Sequence, residues 1–242
     1  MSETTIEALQ NGGNLSRGAA IPVFPVYIFD VDGTLVDSAA DICGAIQTVL
    51  SATTRPDVEE SFPKRYIGYH LIDLFNDLFP EMGNDEVDQL VCNYRAIYPT
   101  RNHQSTKLYP NVLETITSLP GRKSTATTKG TPTTRIVLEK FGLLPYFNHV
   151  QGTDGFPSKP EPDVVIKTLE AFNVKPEDCL FVGDAAPDME AGRRAGVKTC
   201  AVRYGYGDPA KMAKWQPDYW IDNLSELLPV SSRASDTRFQ AD

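Results

Sequence analysis

The chain has 242 residues, 41% hydrophobic and 23% charged, enough to bury a sizeable core without disulfide staples. Thirty-two acidic against 23 basic residues leave a net charge of −9; this argues against a nucleic-acid backbone as partner, which wants a basic face, but not against a small anionic substrate, because a local cluster of cations or a bound metal can reverse the sign of one pocket. The four cysteines, Cys43, Cys92, Cys179 and Cys200, form no CxxC pair or zinc pattern, and no run of about eighteen apolar residues occurs, so the expectation is a cytoplasmic protein with no disulfide framework, no nucleic acid and no membrane.

Residues 1–22 lack an apolar signal core and read as a flexible polar extension. "VYIF", Val26–Phe29, is a short apolar run of the kind that forms a strand buried on both faces of a parallel sheet. It ends on Asp30, with Asp32 two residues on and then Gly33 and Thr34. Ser38 with Asp41 three residues on has the form of a helix-start capping box. From about Asp41 to Lys107 the apolar residues keep helical spacing, as in Ile67, Leu71, Leu74 and Leu78, and no buried strand is evident. This segment is expected to be a helical insertion between the first strand and the rest of the sheet.

Pro110 opens a helix with Val112, Leu113, Ile116 and Leu119 on one face. "RKSTAT", Arg122–Thr127, stands where a second strand is needed but is polar, so its pattern leaves strand and loop open. Pro132 opens a helix that stops at Gly142, and Val165, Leu169 and Phe172 mark another. The apolar runs Cys179–Val182, Val197–Val202 and Tyr219–Ile221 follow as strands, and residues 231–242 read as a flexible tail. Alternation of strand and helix predicts an α/β fold with a Rossmann-like parallel sheet.

"FVGDAAPDME" repeats the design of the first strand end: Gly183 and Asp184 follow the apolar run of Phe181 and Val182, and Asp188 comes one helical turn later. Ligands of open α/β sheets bind beyond the carboxyl ends of the strands, so Asp30, Asp32 and Asp184 are predicted to share one edge. Three carboxylates in one cleft raise one another's pKa. A hard divalent cation held by oxygen ligands resolves the conflict and points to magnesium. Such a site suits phosphoryl transfer, with Asp30 as nucleophile and Asp32 as general acid and then base.

"FDVDGTLVDS" resembles the first motif of the haloacid dehalogenase superfamily of phosphatases. "TATTKGT", "SKPEPDV" and "VGDAAPDMEAGRRAG" resemble its second, third and fourth motifs in the correct order, over roughly Val26 to Leu228. The resemblance implies a core domain of residues 23–37 and 108–230, with a smaller all-helical cap of residues 38–107. It implies that Thr127, or alternatively Thr128, binds the phosphoryl oxygens and that Lys159 neutralises charge on nucleophile and phosphate. It further implies Mg2+ held by Asp30, Asp184 and the backbone carbonyl of Asp32, with Asp188 behind them. Gly33, Thr34, Thr128 and Lys129 would line the phosphate site.

The helical insertion after the first motif resembles the subgroup of phosphoglycolate phosphatases. The implied substrate is a small phosphorylated metabolite, with 2-phosphoglycolate first. A pyrophosphatase, another sugar or organic phosphate phosphatase, a phosphoglucomutase-type phosphotransferase or a catalytically silent binding module are the alternatives, in an implied monomer or homodimer. A carboxylate-bearing substrate wants a cation from the cap, and Arg65 and His70 in "KRYIGYH" are the first candidates.

Overall fold

The computed structural model describes residues 20–55, 57–59 and 61–229; the expected C-terminal tail, and all but residues 20–22 of the expected N-terminal extension, lie outside them. Seven strands occur among these residues: β1 (Val26–Phe29), β2 (Val36–Asp37), β3 (Lys107–Leu108), β4 (Arg122–Thr125), β5 (Cys179–Gly183), β6 (Lys198–Val202) and β7 (Tyr219–Ile221). The helices are α1 (Ala39–Leu50), α2 (Ser61–Lys64), α3 (Leu71–Leu78), α4 (Asn84–Ile97), α5 (Val112–Ser118), α6 (Thr131–Lys140), α7 (Asp163–Phe172), α8 (Ala186–Ala195) and α9 (Pro209–Ala213).

Five strands form one parallel sheet in the order β4-β1-β5-β6-β7. Strand periodicity sends alternate side chains to opposite faces, and both faces are covered. Tyr27 and Phe29 pack with Val112 and Ile116 of α5 and Val137 and Leu138 of α6. Val26 and Ile28 pack with Val164 and Leu169 of α7 and Ala191 of α8. This is why the strand sequences are continuously apolar. The chain leaves β1 for β4 on one side and returns to β5 on the other, so the crevice at a reversal of strand order opens at the end of β1.

The polar strand left open by its pattern is β4, and its place in the sheet explains its composition. It is the edge, and its outer side is met by residues 148–151 through polar contacts rather than a regular ladder. The backbone of Lys123 accepts from Asn148 N–H and donates to Asn148 Oδ1, both at 2.9 Å. Thr125 Oγ1 accepts from Gln151 N–H at 2.9 Å and donates to Gln151 O at 3.0 Å. Lys123 turns its ammonium onto Leu119 O and Gly121 O.

Between β2 and β3 lie α1 to α4, with a hydrophobic cluster of their own built on Ile42, Ile46, Leu74, Phe75, Val87 and Tyr98. The antiparallel pair β2–β3, which the helical periodicity does not reveal, joins the two crossings into and out of this segment. The capping box expected at Ser38 does not form. The side chain of Ser38 makes no cap bond to α1 and donates to Asp32 instead. Tyr206 Oη takes over, accepting from Ser38 N–H at 2.7 Å and Ala39 N–H at 3.0 Å. Asp41 accepts from Ser105 N–H and Thr106 Oγ1 and pairs with Arg101. Among the described residues, no helix is long and apolar enough to cross a membrane.

Candidate active site

Parallel pairing of β1 with β5 fixes Phe29 beside Val182, and Asp30 N–H extends the ladder to Val182 O at 2.9 Å. Asp30 and Asp184 therefore leave the sheet at adjacent strand ends. Asp188 enters from the first turn of α8, where its Oδ2 accepts from Ala185 N–H at 2.9 Å. Asp30, Asp184 and Asp188 are all buried, and one carboxylate oxygen from each falls within 4.8 Å of the others.

A single lysine sits among them. Lys159, fully buried on the loop before α7, donates to Asp30 Oδ1 at 2.7 Å, Asp188 Oδ1 at 2.5 Å and Ala126 O at 3.0 Å. Burial alone would lower its pKa, but Asp188 and Asp30 outweigh it and hold the ammonium above the ordinary lysine value. Burial pushes the Asp30 carboxyl up to about 7; Lys159 opposes the rise, while Asp188 and Asp32 add to it. Asp184 is held well above the ordinary carboxylate range by burial, then by Asp188 and Asp30, against the hydrogen bonds of Tyr206 and Thr34.

Three buried carboxylates against one ammonium leave the cluster short of positive charge, and its donors are hard oxygens. That donor set fits a divalent ion such as magnesium. The packing around Asp184 fits it too. Thr34 Oγ1 donates to Asp184 Oδ1 at 3.0 Å and Tyr206 N–H to Oδ2 at 2.8 Å. Gly33, at φ +87°, and Gly205 come so close to Asp184 that a Cβ at either would overlap its side chain. Asp188, expected behind the ligands, thus stands in the cluster itself while also holding Lys159.

Asp32 faces elsewhere. Its Oδ1 accepts from Ser38 Oγ and its Oδ2 meets Lys129 Nζ at 2.5 Å, so its side chain is outside the carboxylate cluster; the expected metal contact concerned its backbone carbonyl. Lys129 also lies over the Tyr98 ring, 4.6 Å from its centroid. Burial would lower the Lys129 pKa, but Asp32 and then Tyr98 and Tyr94 raise it above the ordinary value.

Thr127 is buried. The only hydrogen bond to its hydroxyl among the described residues is a long one, from Lys129 N–H at 3.4 Å. Thr128, Lys129 and Asp32 line a cavity of about 450 Å³ that continues under α1, α3 and α4. Of the two cap candidates, His70 lines this cavity and its Nδ1 accepts from Ile72 N–H, capping α3. Arg65 is not brought to the cavity: it is exposed, with its guanidinium 4.7 Å from the Phe62 centroid. Sequence reasoning missed Ser38, Tyr206 and the tyrosines Tyr94 and Tyr98. The contacts of Tyr206 with Ser38 and of Tyr98 with Lys129 span separations that no local pattern encodes; Gly205 and Gly207, flanking Tyr206, were the one available signal.

The family model for haloacid dehalogenase-like hydrolases matches residues 27–202. The chain is 33% identical to the phosphoglycolate phosphatase of Aquifex aeolicus, over 85% of this chain and 95% of that protein. It is 30% identical to pyrophosphatase PpaX of Bacillus cereus, over 85% and 95% respectively. A crystal structure described as a predicted phosphoglycolate phosphatase from Haemophilus somnus superposes with a TM-score of 0.75 at 27% identity, covering 86% of this chain and 98% of that one. With the strand-end carboxylates and the buried lysine already in place, the chain belongs to the haloacid dehalogenase-like hydrolase family.

Proposed function

We propose that the chain is a magnesium-dependent phosphatase that hydrolyses a small phosphorylated metabolite through an aspartyl-phosphate on Asp30. The observation that carries this reading is the buried lysine: Lys159 bridges Asp30 and Asp188 beside Asp184, while Asp32 is held apart with its own cation. Two carboxylates two residues apart thus have different environments, which is how one site separates a nucleophile from an acid–base group.

In this mechanism Asp30, Asp184 and Asp188 would hold Mg2+, which would supply positive charge to screen the negative nucleophile from the negative phosphoryl group. Lys159 opposes protonation of Asp30 and holds it in position. A carboxylate oxygen of Asp30 forms a bond to phosphorus as the bond to the leaving oxygen breaks, and Asp32 donates the proton that the departing alkoxide needs. Asp32 then takes a proton from water as the water oxygen bonds to phosphorus, and the Asp30–phosphorus bond breaks to release inorganic phosphate. Lys129 is the cation that an incoming phosphoryl group draws away from Asp32, freeing that carboxyl to carry a proton. Thr127 and Thr128, with the backbone at Gly33 and Thr34, are the proposed contacts for the phosphoryl oxygens.

The names of the relatives make 2-phosphoglycolate the first substrate to test, and the likeness to pyrophosphatase PpaX makes pyrophosphate the second. The test is hydrolysis of 4-nitrophenyl phosphate, 2-phosphoglycolate and pyrophosphate with and without Mg2+, by wild type and Asp30→Asn. Turnover that needs Mg2+ and vanishes in the variant is expected. A folded wild type without Mg2+-dependent turnover, or an Asp30→Asn variant at near wild-type rate, overturns the mechanism.

A further inference from the structure

The cavity over Asp32 narrows the substrate class, on the assumption that the chain is a phosphatase. Asp32, the proposed proton donor to the leaving oxygen, is one of its lining residues, whereas Asp30 and Lys159, where the phosphoryl group would sit, are not. Beyond its edge at Thr128 and Lys129, the space of about 450 Å³ is therefore mainly room for the leaving group. That size lies within the roughly 300–1,000 Å³ of pockets that enclose drug-sized ligands. The two-carbon carboxylate part of 2-phosphoglycolate would fill a small part of it.

The lining also disfavours a second anion. Ile46, Leu74 and Val91 form an aliphatic wall, and Tyr69, Tyr94 and Tyr98 add rings with polar tips. Tyr94 and Tyr98 stack, their centroids 5.4 Å apart and their planes at 17°. Each charged group in the lining, and its histidine, has a place already, with one exception. Lys129 is paired with Asp32 and, in the proposed mechanism, passes from it to the phosphoryl group. Asp154 accepts from Thr131 N–H through both oxygens. His70 uses Nδ1 as an acceptor, which leaves Nε2–H as a neutral donor. The exception is Arg95, exposed on α4 at the cavity lining. Away from Arg95 and the His70 Nε2–H, a carboxylate placed against the aliphatic wall would lose its hydration without a partner, whereas a ring would bury apolar surface and meet tyrosine edges.

We propose that the cap cavity selects a phosphate monoester whose leaving group is an uncharged, ring-sized alcohol, in preference to a short carboxylate-bearing one.

The experiment compares kcat/KM of the Mg2+-loaded wild type for benzyl phosphate, ethyl phosphate and 2-phosphoglycolate, all esters of alkyl alcohols, with 4-nitrophenyl phosphate as a general phosphatase control. Benzyl phosphate is expected to exceed each of the other two alkyl esters by about tenfold or more, from the apolar area a ring buries. Calorimetric titration of the same protein with benzylphosphonate and phosphonoacetate, which cannot be hydrolysed, supplies a readout without turnover, and the former should bind about tenfold tighter. A higher kcat/KM for 2-phosphoglycolate that is lost in Arg95→Gln would overturn the inference and make Arg95 the carboxylate anchor. Turnover of 4-nitrophenyl phosphate with no preference for benzyl over ethyl phosphate defeats the cavity inference alone. Inertness toward every ester defeats the phosphatase reading, and the phosphonate titration then still decides what the cavity prefers.

Discussion

Replacing Lys159 by Met keeps the length and much of the volume of the side chain and removes its charge. In the wild type the ammonium is fully buried and holds Asp30 at 2.7 Å and Asp188 at 2.5 Å. The variant leaves these two carboxylates and Asp184 together in a buried site with no cation. Removing one partner from a buried ion pair costs about 3–5 kcal/mol, because the remaining charge is neither solvated nor paired. For a chain of this size each kcal/mol moves the melting temperature by about 2–4 °C, so the variant should melt roughly 10 °C lower at pH 8 without metal. The loss has a pH signature. Asp30 has its pKa pushed up to about 7 even with Lys159 present, so at pH 5.5 it carries a proton in the metal-free wild type as well as in the variant. The difference between the two proteins should therefore shrink at pH 5.5. Magnesium should restore part of the lost stability at pH 8 and none of the turnover. The assay is thermal unfolding of both proteins at the two pH values, with and without Mg2+, alongside 4-nitrophenyl phosphate hydrolysis. A variant that melts within 2 °C of wild type at pH 8 without metal, or that keeps wild-type turnover, would show that the ammonium does not hold the cluster together.

The raised Asp30 pKa also fixes a sign for the metal-free wild type. The folded value of about 7 exceeds the unfolded value of about 3.9, so this group's contribution to stability is full below the unfolded value and is lost as pH rises through the folded one. Asp30→Asn should consequently melt higher than wild type at pH 8 and not at pH 4 in the absence of metal; equal differences at both pH values refute the shift. Gly205→Ala drives a methyl into Asp184 and toward Gly33 O and should raise the Mg2+ concentration for half-maximal binding by about tenfold or more, as disturbed ligand supports do; an unchanged metal titration refutes the cradle. Tyr206→Phe removes the hydroxyl that accepts from Ser38 and Ala39 N–H but keeps the backbone N–H on Asp184. It should cost about 1 kcal/mol, like the loss of a helix cap, and leave Mg2+ binding near wild type; a large loss of metal affinity would show that the side chain, not the backbone, supports Asp184.

Much of the core was legible because its signals are local. Val26–Phe29 and Cys179–Val182 are short apolar runs followed by Asp, directly in the first and after Gly183 in the second, and both are strands ending at the crevice. Asp188 lies one helical turn beyond Asp184, and Pro132 and Asp163 sit in the first turns of α6 and α7. The resemblance to the haloacid dehalogenase pattern added Thr127 and Lys159, which periodicity does not single out. The strand β4 was ambiguous because edge strands met by polar side chains do not need an apolar sequence.

The sequence by itself determined where strands end and which acids stand at those ends, because strand and turn preferences act over a few residues. Tertiary structure decided how each acid is partnered. Lys159 reaches Asp30 across 129 positions, Lys129 reaches Asp32 across 97, and Tyr206 ties Ser38 across 168. These pairings arise only when parallel strand register and the cap bring distant segments together in a water-poor crevice. Burial there sets the charge of each group, and charge in a buried site depends on neighbours that no short stretch of sequence contains.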